Sequence, residues 1–170
     1  MRETPPKNAS AKIFSFTAVL AALFLLGTVG LDVPYKAAFE IGAFVLLIVG
    51  FELLFRYAMT TYTYLLEENS FAVLKTFGNK QTYVCNLDLQ TGEALIPTPR
   101  TKEEKEAAVT QFGAATVRYS YCQVIFPKGT FSYRFEFNGK SAEIIFQPSE
   151  TFVAAMRAAL ARVSNEEAGE

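Results

Sequence analysis

Two long apolar runs fill the first third of this 170-residue chain, and no other feature constrains its fold as tightly. Residues 13–31, IFSFTAVLAALFLLGTVGL, hold no charge. As a helix the run is about 28 Å long, close to the roughly 30 Å of a bilayer's hydrocarbon core. The second run, residues 37–59, AAFEIGAFVLLIVGFELLFRYAM, begins after the short connection 32–36. Such a connection can only turn the chain back, so residues 13–59 are expected to form an antiparallel pair of transmembrane helices. A cleaved signal peptide has a shorter apolar core, roughly 7–15 residues, and is not followed at once by a second long run.

Basic residues near helix ends set orientation. Arg2, Lys7 and Lys12 precede the first run, Lys36 alone lies in the turn, Arg56 lies at the far end of the second run, and Lys75 and Lys80 enter the next domain. Both ends of the hairpin are therefore expected on the cytoplasmic side of the cell membrane, with residues 1–12 as an N-terminal tail. Glu40 and Glu52 fall inside the second run, where carboxylates are costly and often mark ion paths or partner contacts. Glu40 is close enough to the helix start to reach the headgroups. Glu52 stands four residues before Arg56, a spacing at which the two would pair on one helix face. Transport through these two glutamates is the lesser alternative. Ala18 with Ala22 and Ala38 with Gly42 have the small-xxx-small spacing of closely packed membrane helices.

Composition narrows the chemistry of the rest. Histidine is absent, so histidine-containing zinc sites, Ser-His-Asp triads and Cys-His dyads lack a necessary member. No glycine-rich phosphate loop or paired acids at a recognisable spacing appear, and the chain is read as a non-enzyme with no catalytic, metal or cofactor residues. The two cysteines, Cys85 and Cys122, each lie within a strand-like run and read as reduced core thiols, with a disulfide as the alternative in an oxidising compartment. From residue 60 onward there are 11 Lys and Arg against 13 Asp and Glu, a net of −2. Without a basic face there is little to neutralise phosphates, which points away from nucleic acid.

From residue 60 the period changes to alternation. Tyr62, Tyr64 and Leu66 share a face, the segment 67–70 carries turn chemistry, and strands follow around Phe71–Phe77 and from Tyr83 to Leu89. Residues 117–126 form a further strand. Phe131, Tyr133, Phe135 and Phe137 alternate with polar residues up to Asn138-Gly139, which predicts a hairpin turn into Ala142, Ile144 and Phe146. Phe152, Val153, Met156, Ala159, Leu160 and Val163 make a helical stripe. Residues 164–170 read as a frayed acidic tail. Residues 90–115 are irregular, an insertion with a short helix at 102–111 whose start, Thr101 to Glu104, fits a capping box.

Six or seven short strands and a closing helix within residues 60–163 resemble a pleckstrin-homology-like (PH-like) domain. Placed after an apolar helix pair, they resemble the bacterial PH-like membrane proteins. The resemblance is carried by residues 56–67 (RYAMTTYTYLLE), 70–78 (SFAVLKTFG), 84–89 (VCNLDL) and 142–160. It implies an α+β membrane protein with a PH-like antiparallel barrel or sandwich capped by its C-terminal helix. It also implies a membrane-tethered interaction or scaffold module at the cytoplasmic face, working with the lipid bilayer and a protein partner. Lipid or membrane-state sensing is the runner-up. Phosphoinositide binding is not carried over, because the first strand-strand loop here holds Glu67 and Glu68. The expected contact surfaces are an exposed sheet edge and the segment 93–108.

Overall fold

The computed structural model describes residues 1–6, 10–28, 36–124 and 127–168. The chain divides into a helical unit, Lys7–Thr60, and a β-rich unit made of Met1–Pro6 with Thr61–Glu170.

In the helical unit, α1 (Ser10–Thr28) and α2 (Lys36–Leu53) run antiparallel, and a π-helical turn, Leu54–Met59, closes the second helix. The Phe24 and Phe39 rings lie 6.1 Å apart, and farther along Gly50 faces Thr17 so closely that a Cβ would sit 3.3 Å from its Oγ1. Small residues occupy the buried positions: Ala21 is 1% exposed and Ala43 0%, and Gly50 is buried. The large apolar residues point outward, with Phe16 at 67%, Leu26 at 68% and Phe44 at 65% exposed. The interface is thus built on Ala21, Ala43 and Gly50. Ala18, Ala22 and Ala38 are exposed and Gly42 is half-buried, so the expected pairs lie off the contact line.

Among the described residues one helical stretch, Ala37–Tyr57, is long and apolar enough to cross a membrane, where two were expected. The first helix begins before the expected run. Its described part, Ser10–Thr28, includes Ser10 and Lys12 ahead of the expected run. Residues 29–31 and most of the expected turn at 32–36 lie outside the described residues.

The β-rich unit contains two four-stranded sheets, ordered β1-β2-β3-β4 and β5-β7-β8-β6. The first uses β1 (Arg2–Glu3), β2 (Thr60–Leu66), β3 (Ser70–Phe77) and β4 (Lys80–Asp88). The second uses β5 (Gly92–Pro97), β6 (Val117–Ser120), β7 (Phe131–Phe137) and β8 (Lys140–Phe146). The sheets do not close into a barrel, correcting one form of the expected architecture. Nor is the domain a simple meander. β6 ends with Ser120 beside Ile145 and β7 begins with Phe131 beside Phe146, at the same end of β8, and β8 lies between them, parallel to β6 and in an antiparallel hairpin with β7. That hairpin turns as expected, with Asn138 at φ 53° and Gly139 at φ 70°.

Two expected irregular stretches are ordered parts of the sheets. Residues 1–6, read as a tail, supply β1, which pairs Arg2 with Leu65 and Glu3 with Tyr64. The Glu3 carboxylate then accepts hydrogen bonds from the backbone N–H of Ser149 (2.7 Å) and its hydroxyl (2.6 Å), just before α4 (Glu150–Ala168). A carboxylate at a helix N-terminus meets the positive end of its dipole. Within 90–115 lie β5, registered against β7, and α3 (Lys102–Phe112) with the full Thr101–Glu104 capping box. The closing helix continues through Ala168, so residues 164–168 belong to α4.

The core lies between the sheets and α4. Phe152, Val153, Met156, Ala159 and Val163 of α4 pack on Tyr64, Phe71, Phe135, Ile144 and Phe146. Tyr64, Phe71, Phe146 and Phe152 form an aromatic cluster with centroid separations of 5.2–6.3 Å. Tilted and edge-on contacts of this kind add about 0.5–1.5 kcal/mol each beyond area burial.

Candidate functional site

A cleft of about 730 Å³ lies between α3 and the end of β5. Its walls are Ile96, Pro97 and Pro99 from β5 and the chain beyond it, Ala107, Ala108 and Phe112 from α3, and Phe131 at the start of β7. Part of the expected contact segment, 93–108, therefore lines it. The volume and the mixture of apolar walls with a few polar groups fall in the range of small-molecule or peptide pockets. Arg100 and Glu104 stand at one end. The Glu104 carboxylate accepts from the backbone N–H of Arg100 (2.7 Å) and of Thr101 (3.2 Å), and these bonds hold its carboxyl below the ordinary range.

Of α3 itself, only Ala108 is buried and Phe112 half-buried; the rest is exposed. The helix is tethered at its C-terminal end by Arg134 of β7. Its guanidinium donates from Nη1 to the Gly113 carbonyl (2.6 Å) and lies 5.7 Å from the Phe112 ring centroid. Arg134 is buried, and its Nε has no hydrogen-bond partner.

Near it on the same sheet, Glu143 is 1% exposed and is paired on both oxygens. One accepts from the Ser132 hydroxyl; the other accepts from Arg118 Nε and lies equally close to Nη2, each at 2.9 Å. A buried carboxylate needs such partners to remain ionised. The Ser132 hydroxyl reaches toward Thr98 Oγ1 at 3.4 Å, and Thr98 also lines the cleft. The cleft therefore ends on a polar, hydrogen-bonded sheet face. Neither the cleft residue Phe131 nor the buried trio Ser132, Arg134 and Glu143 had been singled out for function. Within the alternating run of β7 a buried arginine looks like any outward-facing polar residue.

A second, acidic concavity of about 590 Å³ lies at the other end of the first sheet, lined by Glu67, Glu68, Asn69, Ser70, Asn86 and Asp88. Among the described residues no group of three or more His, Cys, Asp or Glu is placed to hold a metal ion.

The residues singled out in the helical unit do not converge. Glu40 and Glu52 are both exposed on α2 and twelve positions apart, which is about 18 Å along a helix and a third of a turn around it. The expected Glu52–Arg56 ion pair is not formed among the described residues. The π-helical turn from Leu54 breaks the four-residue register, and Arg56 lies 5.5 Å from the Tyr57 ring centroid. Cys85 is half-buried and Cys122 buried, and they form no disulfide. Burial pushes the Cys85 thiol up to about 11.

No protein-family model matches the chain, and no curated protein and no solved structure matches it either.

Proposed function

We propose that this chain is a membrane-tethered, non-enzymatic binding module whose β-rich unit presents the α3–β5 cleft to a protein partner at the cytoplasmic face. The observation that carries the tether is the inside-out helix pair, with Ala21, Ala43 and Gly50 buried and Phe16, Leu26, Phe44, Ile48 and Phe51 exposed. In water this arrangement wastes apolar area, because large side chains stabilise a pair only when removed from solvent. In a bilayer it is the favoured one, since helices there associate through small residues that let backbones approach.

Chain connectivity adds a topological constraint. The helical unit is an insertion between β1 and β2, adjacent hydrogen-bonded strands of one sheet. If α2 crosses the bilayer, α1 crosses it as well, for otherwise β1 and β2 would be on opposite sides. The preference of Arg2, Lys7 and Lys12 for the cytoplasmic side supports a cytoplasmic β-rich unit.

The PH-like reading of that unit is supported by its two sheets and closing helix, although the parallel β6–β8 pair departs from an antiparallel meander. A tether raises the local concentration of the cleft for other membrane components without any new contact. A photo-crosslinking residue at Gln111, on the cleft rim, tests the partner reading in native membranes. It should yield a discrete adduct that a residue of the same kind at Arg157, on α4, does not. Equal or absent adducts would refute the cleft as the contact surface. Membranes stripped with alkaline carbonate should retain the chain until detergent is added.

A further inference from the structure

The first sheet is polarised along its strands, and its polarity matches its covalent attachment. Thr60, the first residue of β2, follows Met59 of the π-helical turn with no linker. β1 runs antiparallel to β2, and Thr4 Oγ1 lies 2.9 Å from Thr63 Oγ1, so the chain before α1 leaves toward the same end. β3 returns along β2 after the 67–69 turn, closed by a Glu67 N–H to Ser70 carbonyl bond of 2.9 Å. The β3–β4 turn, Gly78-Asn79, therefore sits at that end too.

The composition of the two ends differs. From Phe71 to Leu87 the chain has Lys75 and Lys80 and no Asp or Glu. Both lysines are exposed, as are Phe77 (41%) and Tyr83 (61%). Lys80 is paired with Phe77 across the strands, and Lys75 with Thr82. The acids Glu67, Glu68 and Asp88 gather at the opposite end, around the acidic concavity.

We propose that the Phe77–Lys80 end of the β3–β4 hairpin is a contact surface for anionic lipid headgroups of the membrane to which the chain is tethered. The proposal rests on the tether reading above. Neighbouring strands are about 4.8 Å apart, so the hairpin turn stands roughly 10 Å to the side of Thr60. Lysine side chains within a Debye length of an anionic surface, about 8 Å at physiological ionic strength, are attracted to it, and exposed aromatic rings suit the headgroup layer. The acidic end, one strand length away along the sheet, would be repelled by the same surface. The contact would fix the domain's tilt on the membrane.

The chain has no tryptophan, so one introduced indole is a unique reporter. Three full-length variants, Phe44→Trp, Phe77→Trp and Asn69→Trp, are reconstituted in vesicles of phosphatidylcholine with and without phosphatidylglycerol. Lipids brominated on their acyl chains serve as quenchers. The Phe44→Trp indole should be quenched in every vesicle, and the Asn69→Trp indole in none. Quenching at Phe77→Trp should appear with phosphatidylglycerol and weaken when Lys75→Glu and Lys80→Glu are added. The loss expected is about fivefold in association per lysine, hence about 25-fold for the pair. A Tyr83→Trp variant repeats the reading if Phe77→Trp misfolds. If Phe44→Trp is quenched but Phe77→Trp and Tyr83→Trp match Asn69→Trp, the hairpin contact is wrong and the tether stands. Quenching at the hairpin that ignores lipid charge and the lysine reversals overturns anionic recognition. No quenching at Phe44→Trp overturns the tether and this proposal with it.

Discussion

Replacing Tyr64 by Phe removes one oxygen from the centre of the β-rich unit, and replacing Tyr133 by Phe does the same only a few residues away in space. The two changes should have different consequences. The Tyr64 hydroxyl donates to the Tyr121 carbonyl (2.8 Å) and accepts from the Gln147 N–H (3.1 Å), so it joins β2 of the first sheet to the flanks of β6 and β8 in the second. Tyr64→Phe leaves both backbone groups without that partner. A buried group deprived of its partner costs about 1–3 kcal/mol, and two part-buried ones place the loss near 2 kcal/mol. The Tyr133 hydroxyl is buried with no hydrogen-bond partner, so Tyr133→Phe removes a desolvated oxygen that bonds to nothing and should be neutral or stabilising. Thermal unfolding of the full chain in detergent, followed by near-ultraviolet circular dichroism of the aromatic core, separates the two. At about 4 °C per kcal/mol for a domain of this size, Tyr64→Phe should lower Tm by about 8 °C. Tyr133→Phe should leave Tm unchanged or raise it. Equal shifts, or a larger loss at Tyr133, would refute the assignment of Tyr64 as the link between the sheets.

Three further outcomes follow from the same geometry. A Cβ at Gly92 would overlap the Tyr133 hydroxyl and lie 3.0 Å from the Leu89 carbonyl oxygen, so Gly92→Ala should cost about 1–3 kcal/mol in a denaturant titration, partly recovered in the double variant with Tyr133→Phe. Arg118→Ala strips the buried Glu143 of its cation and should destabilise by about 1–3 kcal/mol, whereas Lys102→Ala, breaking an exposed i,i+4 pair at 3.8 Å, should change stability by less than about 0.5 kcal/mol. Burial raises Cys85 to about 11 and Tyr121 to about 12, and holds Tyr64 and Tyr133 well above an ordinary phenol. Each group keeps its proton longer in the folded chain than in the unfolded one. Their contribution to stability is therefore complete below about pH 9, and is lost as pH rises through 11 to 12; an alkaline titration of Tm with no decline above pH 9 would contradict it.

Local chemistry was readable where it is set by neighbouring residues. The Asn138-Gly139 turn requires positive φ at both positions and takes it, and the Thr101–Glu104 capping box satisfies its own backbone. The stripe from Phe152 to Val163 has one helical period and one buried face. What escaped depends on partners distant in sequence. A two-residue strand such as β1 has no period to detect, and only its pairing with Leu65 and Tyr64 orders it. β5 is short and ends in Pro97, so it reads as loop until β7 supplies its hydrogen bonds. The parallel β6–β8 pair is a property of the connection 121–130, not of either strand's residues. In the helical unit the apolar surface continues all the way round, so spacing alone could not single out Ala21, Ala43 and Gly50 over Ala18 and Ala22. The α3–β5 cleft is invisible for a further reason: its walls come from residues 96 to 131 and meet only after the second sheet has formed.

The account turns on α1 and α2 crossing a membrane together, and cysteine accessibility in sealed vesicles tests this most directly. In a background with Cys85→Ala and Cys122→Ala, single cysteines are placed by Ala37→Cys, at the start of α2, and by Glu103→Cys, on exposed α3. A membrane-impermeant thiol reagent added to inside-out vesicles should label Glu103→Cys and spare Ala37→Cys until detergent opens the vesicles. Labelling of both positions from the same side would mean that neither helix crosses, and the membrane tether would be wrong.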